Sequence, residues 1–178
     1  AYTYTNQGIS VTPVNFMDKK AYLKDWPNRL LSRDDIPRHF NRLVNIGGLT
    51  GKASGFLADV DIDINNEEFL SVAKEVLPST NCRFGRVSKR SSHYLYRVGE
   101  DFRTEKYKIS DVGEIEIRGS GAQTVLPPSI HESGEPIEWE ESGEPAQVGL
   151  DELRAACGRL SAIALLSAHF NEANRQDI

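Results

Sequence analysis

The feature that most constrains the fold is the stretch FLADVDIDI, residues 56–64, in which polar and apolar residues alternate. Asp59, Asp61 and Asp63 occupy every second position, with valine or isoleucine between them. Successive side chains of a β-strand point to opposite faces, so the pattern predicts a strand with three aspartates on one face and aliphatic residues on the other. The apolar face of this strand must be buried in a core, which leaves the acidic face to meet solvent or a ligand.

The row of three aspartates lowers the stability of the fold, because the ionised carboxylates repel one another. Two ionised carboxylates on one face, about 6 to 7 Å apart, repel by roughly 2 to 3 kcal/mol at an effective dielectric constant of about 20. By this argument, removing two of the acids would raise stability in the absence of metal. A bound divalent cation would offset the repulsion, since hard cations take carboxylate oxygens. An acidic, solvent-facing strand edge that discourages aggregation is the alternative, and the DVD pattern leaves both interpretations open.

Length and composition suit a single domain. The chain has 178 residues, of which 39% are hydrophobic and 26% are charged. It contains no apolar run of the roughly 18 residues needed to cross a bilayer and no recognisable signal peptide, so we expect a cytoplasmic protein with no membrane partner. Cys82 and Cys157 are far apart and form no CxxC pair, which predicts buried thiols rather than a disulfide or a cysteine zinc site.

The net charge of -5 is unevenly distributed. Residues 119–153 contain eight acids and no Lys or Arg, whereas RFGRVSKRSSHYLYR, residues 83–97, contains no acid. The cations of that second segment are Arg83, Arg86, Lys89, Arg90 and Arg97. This distribution predicts a local basic strip within an acidic protein, with a solvated loop as the alternative.

The rest of the chain contains patterns typical of helices and patterns typical of strands. ISVTPV predicts a strand, and the polar stretch after it predicts a basic loop. Cap residues at 32–35 and Pro37 predict a helix that runs through His39 to Leu43 and is broken by NIGGLTGKASG. NNEEFLSVAKEVLPS predicts a capped helix, and apolar residues at near-helical spacing predict another from Leu150 to Phe170. CRFGRVS, SHYLYRV, EIEIRG and AQTVLPPS predict short strands of a mixed or antiparallel sheet.

The segment GLTGKAS has the Gly51-Lys52 pair of a phosphate-binding loop but not the rest of that motif. Ile46 stands where the first glycine belongs, and Ala53 stands where Ser or Thr should bind magnesium. Two interpretations are left. One is a glycine turn that brings Lys52 to a phosphate, and the other is a plain tight turn.

Two further predicted strands carry polar rows. In EIEIRG, Glu114, Glu116 and Arg118 alternate with isoleucines, and in SSHYLYR, Ser91 and His93 alternate with other residues. If these rows meet the aspartate row in one sheet, they place carboxylates, an imidazole and a guanidinium around one cleft.

This set of side chains suits phosphoryl transfer. The protein's task in that reaction is to position the reactants while carboxylate-held metal ions neutralise developing charge. Asp59, Asp61 and Glu116 would supply the anions, and His93 and Arg118 would hold phosphate oxygens of a triphosphate. A structural histidine, and a salt bridge from the arginine to a neighbouring glutamate, are the alternatives.

The order of these motifs resembles the primase-polymerase domain of the archaeo-eukaryotic primase superfamily, the prim-pol type of phages, plasmids and mobile elements. The resemblance runs from about Ile9 to Trp139 and is carried by NIGGLTGKASGFLADVDID, SSHYLYR and EIEIRGSGAQTVLPPSIHESGEPIEW. It implies an α+β fold with an RRM-like catalytic sheet and a second, irregular β-rich subdomain that frames a cleft.

The resemblance also implies roles for individual residues. Asp59 and Asp61 match the paired metal-binding acids, Glu116 matches the third acid, and His93 matches the phosphate-contacting histidine of an SxH motif, whereas Asp63 matches no required acid. The implied nucleotide-binding residues are His93, Ser91, Arg118, Lys52, Ser129 and His131. The expected DNA-binding residues are Arg83, Arg86, Lys89 and Arg90.

The implied function is template-directed, two-metal nucleotidyl transfer by a DNA primase and polymerase that replicates a phage, plasmid or mobile element. Its ligands would be Mg²⁺ or Mn²⁺, an NTP or dNTP, and single-stranded or primed DNA. Residues 1–148 would form the catalytic domain, and residues 149–178 a packing helix and the start of a linker to a missing domain, a helicase in the full-length chain. Some members use a zinc-binding insertion to start primers; no cysteine-histidine cluster is present here, so we expect no structural zinc and weak initiation.

Two other functions stay open at this stage. A non-catalytic, RRM-like nucleic-acid-binding module would use Tyr94 and Tyr96 to stack on bases, although the acidic rows would repel phosphate. A metal-dependent nuclease would use the same acids but give no role to a triphosphate-binding histidine.

Overall fold

The computed structural model describes the backbone of residues 1–109 and 111–176, and the side chains of the same ranges as far as residue 169. Its helices are α1 (Tyr2–Asn6), α2 (Ile36–His39), α3 (Glu67–Val76) and α4 (Leu150–Gln176). Its strands are β1 (Val11–Val14), β2 (Asn45–Leu49), β3 (Leu57–Asp63), β4 (Cys82–Arg86), β5 (Lys89–Arg97), β6 (Glu105–Ile109), β7 (Gly113–Arg118), β8 (Gln123–Leu126), β9 (Glu138–Ser142) and β10 (Ala146–Gln147). The α+β class expected from the sequence is confirmed.

The strands form two sheets. The larger sheet has the order β6-β7-β3-β5-β4-β9, with antiparallel neighbours throughout, and β10 pairs in parallel with β5. The smaller sheet is antiparallel and has the order β1-β2-β8. Strand β3 lies in the middle of the larger sheet, so the aspartate row predicted from its alternation has polar strands on both sides.

One face of the larger sheet is covered by the helices α3 and α4. Ala58, Val60 and Ile62 of β3 are fully buried in this core. Helix α3 begins at the predicted cap, because Oδ1 of Asn66 accepts a hydrogen bond of 2.9 Å from the backbone N of Phe69. The apolar side chains of β3 therefore hold the larger sheet against helices α3 and α4.

The opposite face of the larger sheet is shared between a second core and an open cleft. Leu57, Phe84 and Leu95 pack in this second core with residues of the smaller sheet, among them Val11 and Leu126. The smaller sheet covers only part of the face. The polar rows of β3, β5 and β7 lie next to the uncovered part, where the two sheets enclose a cavity.

One local prediction was wrong and one strand was not predicted. The helix expected to reach Leu43 is only the short α2, and the Leu43 side chain is 72% exposed. The helix does not continue into the glycine segment, as expected, but NIGGL forms strand β2, because its glycines allow close strand contact. A Cβ on Gly47 would lie 2.5 Å from Oε1 of Gln123, and one on Gly48 would lie 2.5 Å from Cδ1 of Leu126.

Helix α4 begins at the predicted residue and extends past the predicted end. Its buried side includes Leu153 and Leu160, and Nε of Arg154 donates a hydrogen bond of 3.0 Å to Glu105 of β6. Leu166, expected on the packing side, is 57% exposed, and the Phe170 side chain lies outside the described residues.

Both cysteines are free and buried, as predicted, and burial raises the pKa of each thiol to about 12. In the part of the chain that the structure describes, none of the helices has the length and apolar character needed to cross a membrane.

Candidate active site

A cavity of about 410 Å³ lies between the two sheets. The larger sheet contributes side chains of both charge signs to its wall, and the smaller sheet and three loops contribute the rest. From the larger sheet come Asp61, Asp63, Gly85, Arg86, Lys89, His93, Glu114, Glu116 and Arg118. From the other elements come Asp18, Lys19, Trp26, Gly121, Ala122, Gln123, Val125, Ile130, His131, Glu132 and Ile137.

The strand register brings the three predicted acids together. In the antiparallel pairing of β3 with β7, Asp61 lies opposite Glu116 and Asp59 lies opposite Arg118. Asp61 also lies opposite His93 of β5. Directly opposed residues have their Cβ atoms about 5 Å apart, which is within contact distance for these side chains.

One arginine contacts all three acids. Nη1 of Arg118 lies 3.6 Å from Oδ2 of Asp59, Nε lies 2.9 Å from Oε2 of Glu116, and Nη2 pairs with Oδ2 of Asp61. Burial would lower the pKa of the guanidinium, but Asp61 and Asp59 outweigh this effect and raise it. The carboxylates that sequence reasoning assigned to metal are thus all paired in this structure with one side chain, whose single positive charge offsets part of their negative charge.

The acids differ in their exposure to the cavity. Asp59 is fully buried, whereas the side chains of Asp61 and Glu116 are 13% and 11% exposed. Glu116 also pairs with Nζ of Lys106, which lies directly opposite it on β6. Burial would raise the pKa of Glu116, but hydrogen bonds from Lys106 and Arg118 outweigh burial, and the pKa lies below its usual range.

His93 sits between the two aspartates. Its Nδ1 lies 3.1 Å from Oδ2 of Asp59, and its Nε2 lies 3.6 Å from Oδ1 of Asp61. The ring stacks on Phe84 with centroids 4.5 Å apart and an interplanar angle of 5°. Burial would lower the pKa of His93, but Asp61 and Asp59 outweigh it and raise the pKa above the usual value. The imidazole is thereby held rigidly and favoured in its cationic form.

Ser91 does not share a face with His93, contrary to the prediction from alternation. Its backbone has φ of 48°, in the left-handed region, which interrupts the alternation of side chains along β5. The backbone N and Oγ of Ser91 both donate hydrogen bonds to the carboxylate of Glu140. Ser91 lines a separate cavity beside α3, so the structure does not bring it to the carboxylate cluster.

Ser129 and His131 have different surroundings. Ser129 is buried, and its Oγ accepts a hydrogen bond of 2.9 Å from the backbone N of Ile46, which ties strand β2 to the loop after β8. His131 lines the cavity, and its Nδ1 lies 2.9 Å from Oγ of Ser133. Burial, aided by nearby Arg86, lowers the pKa of His131.

The structure favours the tight-turn interpretation of GLTGKAS. Lys52 is an exposed residue of a short 3-10 helix, and its backbone N donates a hydrogen bond of 2.9 Å to Oγ of Ser120. Gly51 has φ of 70°, and a Cβ there would lie 2.2 Å from the same Oγ. The glycine is therefore needed for close packing against Ser120, and Lys52 lies away from the cavity wall described above.

The predicted basic strip is divided between the two faces of the sheet. Arg83 lies on the helix-covered face, where it pairs with Glu141 and its guanidinium lies 5.9 Å from the ring centroid of Tyr94. Arg86 and Lys89 line the cavity instead. The acids of residues 119–153, a segment without Lys or Arg, supply two of the partners of these cations, Glu141 for Arg83 and Glu135 for Arg86.

The cations at the cavity are already paired. Nη1 of Arg86 lies 3.3 Å from Oε2 of Glu135, and Nζ of Lys89 lies 2.6 Å from Oδ1 of Asp63. The hydrogen bond from Lys89 lowers the pKa of Asp63. Asp63 therefore belongs to an ion pair at the cavity edge, in agreement with its lack of a match among the required acids.

Sequence reasoning did not identify Lys106, Phe84 or Trp26 as site residues. EKYKI of β6 alternates lysines with other residues, and this pattern could have suggested a basic row facing the acidic row of β7. No comparable signal marks Phe84, because its role depends on its contact with His93.

The tyrosines proposed as base-stacking residues are in the core. Tyr94 and Tyr96 are 2% and 0% exposed and pack on the helix side of the sheet, opposite to the cleft. The hydroxyl of Tyr96 donates a hydrogen bond of 2.7 Å to the carbonyl of Pro78. Base stacking on these rings, on which the RRM-like binding module depended, is therefore excluded in this fold.

Among the described residues, no group of three or more His, Cys, Asp or Glu side chains is arranged to hold a metal ion. The contacts of Arg118 account for this, since it lies between the predicted ligands. The donor set nevertheless fits a divalent cation, because three carboxylates already converge on a single cationic group beside a cavity.

Comparison with known proteins gives a family match. The model of the family described as bifunctional DNA primase/polymerase, N-terminal (Prim-Pol) matches residues 1–150. No curated protein matches the chain. The matched range includes both sheets and every residue of the cavity wall.

Proposed function

The chain belongs to the Prim-Pol family, and on that premise we propose that it is a DNA primase and polymerase that carries out template-directed nucleotidyl transfer. Family membership implies an enzyme of the nucleotidyltransferase type that binds nucleic acid and nucleotides. The observation that carries the proposal is the convergence of Asp59, Asp61 and Glu116 on one cation at the wall of a cavity of about 410 Å³. This volume suits a small-molecule ligand.

We propose that the same acids hold Mg²⁺ or Mn²⁺. Carboxylate oxygens are the ligands that these hard cations prefer. When bound, the metal would neutralise charge that develops on the phosphate. Asp61 and Glu116 line the cavity and would contact both the metal and the substrate, whereas the fully buried Asp59 would contact the metal alone.

In the proposed reaction, a hydroxyl oxygen of a primer end or first nucleotide forms a bond to the α-phosphate, and the bond from that phosphate to pyrophosphate breaks. The protein's own contribution is to orient the triphosphate. His93 suits this role because it lines the cavity beside Asp61, its stacking on Phe84 fixes the ring, and a ring N–H can donate to a phosphate oxygen. A charged donor is a strong partner for phosphate oxygens.

His93→Gln is expected to weaken nucleotide binding by roughly 10- to 100-fold, because a hydrogen bond to a charged group contributes a binding free energy of that size. Template affinity should stay nearly unchanged. Two titrations on the purified variant, one with a triphosphate and one with single-stranded DNA, measure this. His169→Gln, the same change at an exposed position of α4 outside the cavity wall and the β1–β2 loop, is the control. Equal losses for both ligands would favour a purely structural histidine.

We also propose that the template is bound by the loop between β1 and β2, together with Arg86 and Lys89 at this cavity and the exposed Arg90 at the separate cavity beside α3. Lys19 and Trp26 of this loop line the cavity, so the loop leads directly to the site. Its exposed cations include Lys20, Lys24, Arg29, Arg33, Arg38 and Arg42. The ring of Trp26 is suited to stack on a base.

The triple variant Lys20→Gln, Lys24→Gln, Arg29→Gln is expected to bind single-stranded DNA more weakly and with a smaller salt dependence. Each lost phosphate contact reduces the slope of log Kd against log salt by about 0.7, so the slope should fall by roughly 2. Arg83→Gln, on the helix-covered face, should leave the slope unchanged. Binding measured across a salt series tests this, and an unchanged slope in the triple variant would show that DNA lies elsewhere.

The wider context is also part of the proposal. We propose that residues 1–148 are the catalytic domain, that the larger sheet is its RRM-like sheet, and that residues 149–178 provide a packing helix and the start of a linker. Action in the replication of a phage, plasmid or mobile element, and a helicase domain in a longer chain, are supported by the family resemblance alone.

A metal-dependent nuclease is the second candidate, because it would use the same carboxylates. The two functions differ in their products. With metal and nucleotides, a polymerase lengthens a labelled primer on its template, and with metal alone a nuclease shortens it. Primer lengthening supports the proposed function, whereas shortening without nucleotides, or an unchanged primer in both reactions, would overturn it.

A further inference from the structure

We propose that Arg118 is a built-in counterion that competes with divalent metal for the carboxylate cluster and is displaced when the metal binds. In the absence of metal, its guanidinium would hold the three acids together. This inference rests on the proposed function, because it assumes that Asp59, Asp61 and Glu116 are the metal ligands.

The first support is that Arg118 occupies the centre of the donor set. Its Nη1, Nη2 and Nε atoms each face a different carboxylate. Among the described residues, it is the one cation in contact with all three acids. His93 contacts only the two aspartates, and Lys106 contacts Glu116 but neither aspartate.

The second support is that a bound metal and this arrangement of Arg118 exclude each other. The oxygens that face the guanidinium are Oδ2 of Asp59, Oδ2 of Asp61 and Oε2 of Glu116, so a metal ion that bound these same oxygens would take the place of Arg118. Guanidinium and divalent cation would also repel at such a short distance, because both are positive in a partly buried site. Metal binding therefore requires Arg118 to give up at least part of its contacts.

The third support is that the Arg118 side chain can move from the acids into the cavity. It is the last residue of β7, is followed by Gly119, and its side chain is 22% exposed at the cavity wall. A guanidinium released into the cavity would meet a triphosphate there, and arginine binds phosphate oxygens well. Metal and nucleotide should therefore bind cooperatively, since each favours the displaced position of Arg118.

The test is direct titration of Mn²⁺ binding, without nucleotide or DNA, followed by the EPR signal of free Mn²⁺ and by calorimetry. Arg118→Gln is expected to lower the Kd for Mn²⁺ by about tenfold or more relative to the unmodified protein, since it removes a full opposing charge. Arg154→Gln, which removes the same charge from a pair with Glu105 and Asp151, is the matched control and should change the Kd by less than about twofold.

Two further variants keep the test decisive. Lys106→Gln should tighten Mn²⁺ binding less than Arg118→Gln, because Lys106 is half-exposed and contacts a single acid of the cluster. If Arg118→Gln does not fold without metal, Arg118→Lys replaces it; its compact ammonium cannot contact three acids at once, so the Kd should fall by an intermediate factor.

A second readout concerns cooperativity. Adding a triphosphate should tighten Mn²⁺ binding to the unmodified protein by a larger factor than to Arg118→Gln, in which no guanidinium has to move. Equal or weaker Mn²⁺ affinity in Arg118→Gln, with measurable binding by the unmodified protein, would overturn the counterion role and leave the proposed metal site intact. Failure of every variant to bind Mn²⁺ would overturn the metal site itself.

Discussion

Asp61→Asn is expected to lower the rate of nucleotide incorporation by roughly a thousandfold or more, while the domain stays folded. Asp61 lies opposite Glu116 on one side and His93 on the other, lines the cavity, and is partly exposed. Asparagine has nearly the same shape but lacks the charge that a divalent cation requires. Single-nucleotide extension of a primed template, measured alongside the circular dichroism spectrum, tests this.

The chain provides a matched control on the same strand. Asp63 belongs to the same row and points to the same face, but it pairs with Lys89 and its side chain is 71% exposed. Asp63→Asn should change incorporation by less than about threefold, since Asp63 is not among the acids that contact Arg118 and asparagine can still accept the hydrogen bond from Lys89. If Asp61→Asn retains incorporation, the assignment of this carboxylate to the metal site is wrong. If both variants lose it equally, the charge of the whole row matters rather than one position.

Asp59→Ala is expected to lower the free energy of unfolding by about 3 to 5 kcal/mol, the cost of removing one partner from a buried ion pair. Asp59 is fully buried, and its loss would leave His93 and Arg118 with a missing partner. For a domain of this size the melting temperature should fall by roughly 6 to 20 °C. Thermal unfolding followed by circular dichroism, in the absence of metal, measures the change.

The sign of this prediction is opposite to the one drawn from repulsion along the strand. Repulsion between Asp59 and Asp61 would make their removal stabilising, but that argument holds only if no cation is close. The contacts of Arg118 and His93 reverse it. Asp61→Ala, at a partly exposed position, should cost less than Asp59→Ala. An unchanged or raised melting temperature for Asp59→Ala would show that the ion pairs contribute no net stability.

Much of the site was predictable because it depends on a local rule. Alternation along 56–64 and 113–118 decided which residues share a face, and the structure keeps that arrangement in β3 and β7. The same rule failed at Ser91, where a single left-handed residue turns the side chain toward Glu140. No pattern in SSHYLYR indicates that conformation, since serine is not a residue that favours positive φ.

The sequence by itself determined the α+β class, the acidic row, the helix capped at Asn66 and the family, because strand alternation, capping and motif order are properties of neighbouring residues. Only the tertiary structure decided which charges meet. Arg118 contacts three acids because antiparallel pairing in one particular register places β7 beside β3, and Arg83 is lost from the basic strip because it faces the helices. Register and packing depend on contacts between residues far apart in the chain, so the partner of each charge is fixed only when the whole sheet has formed.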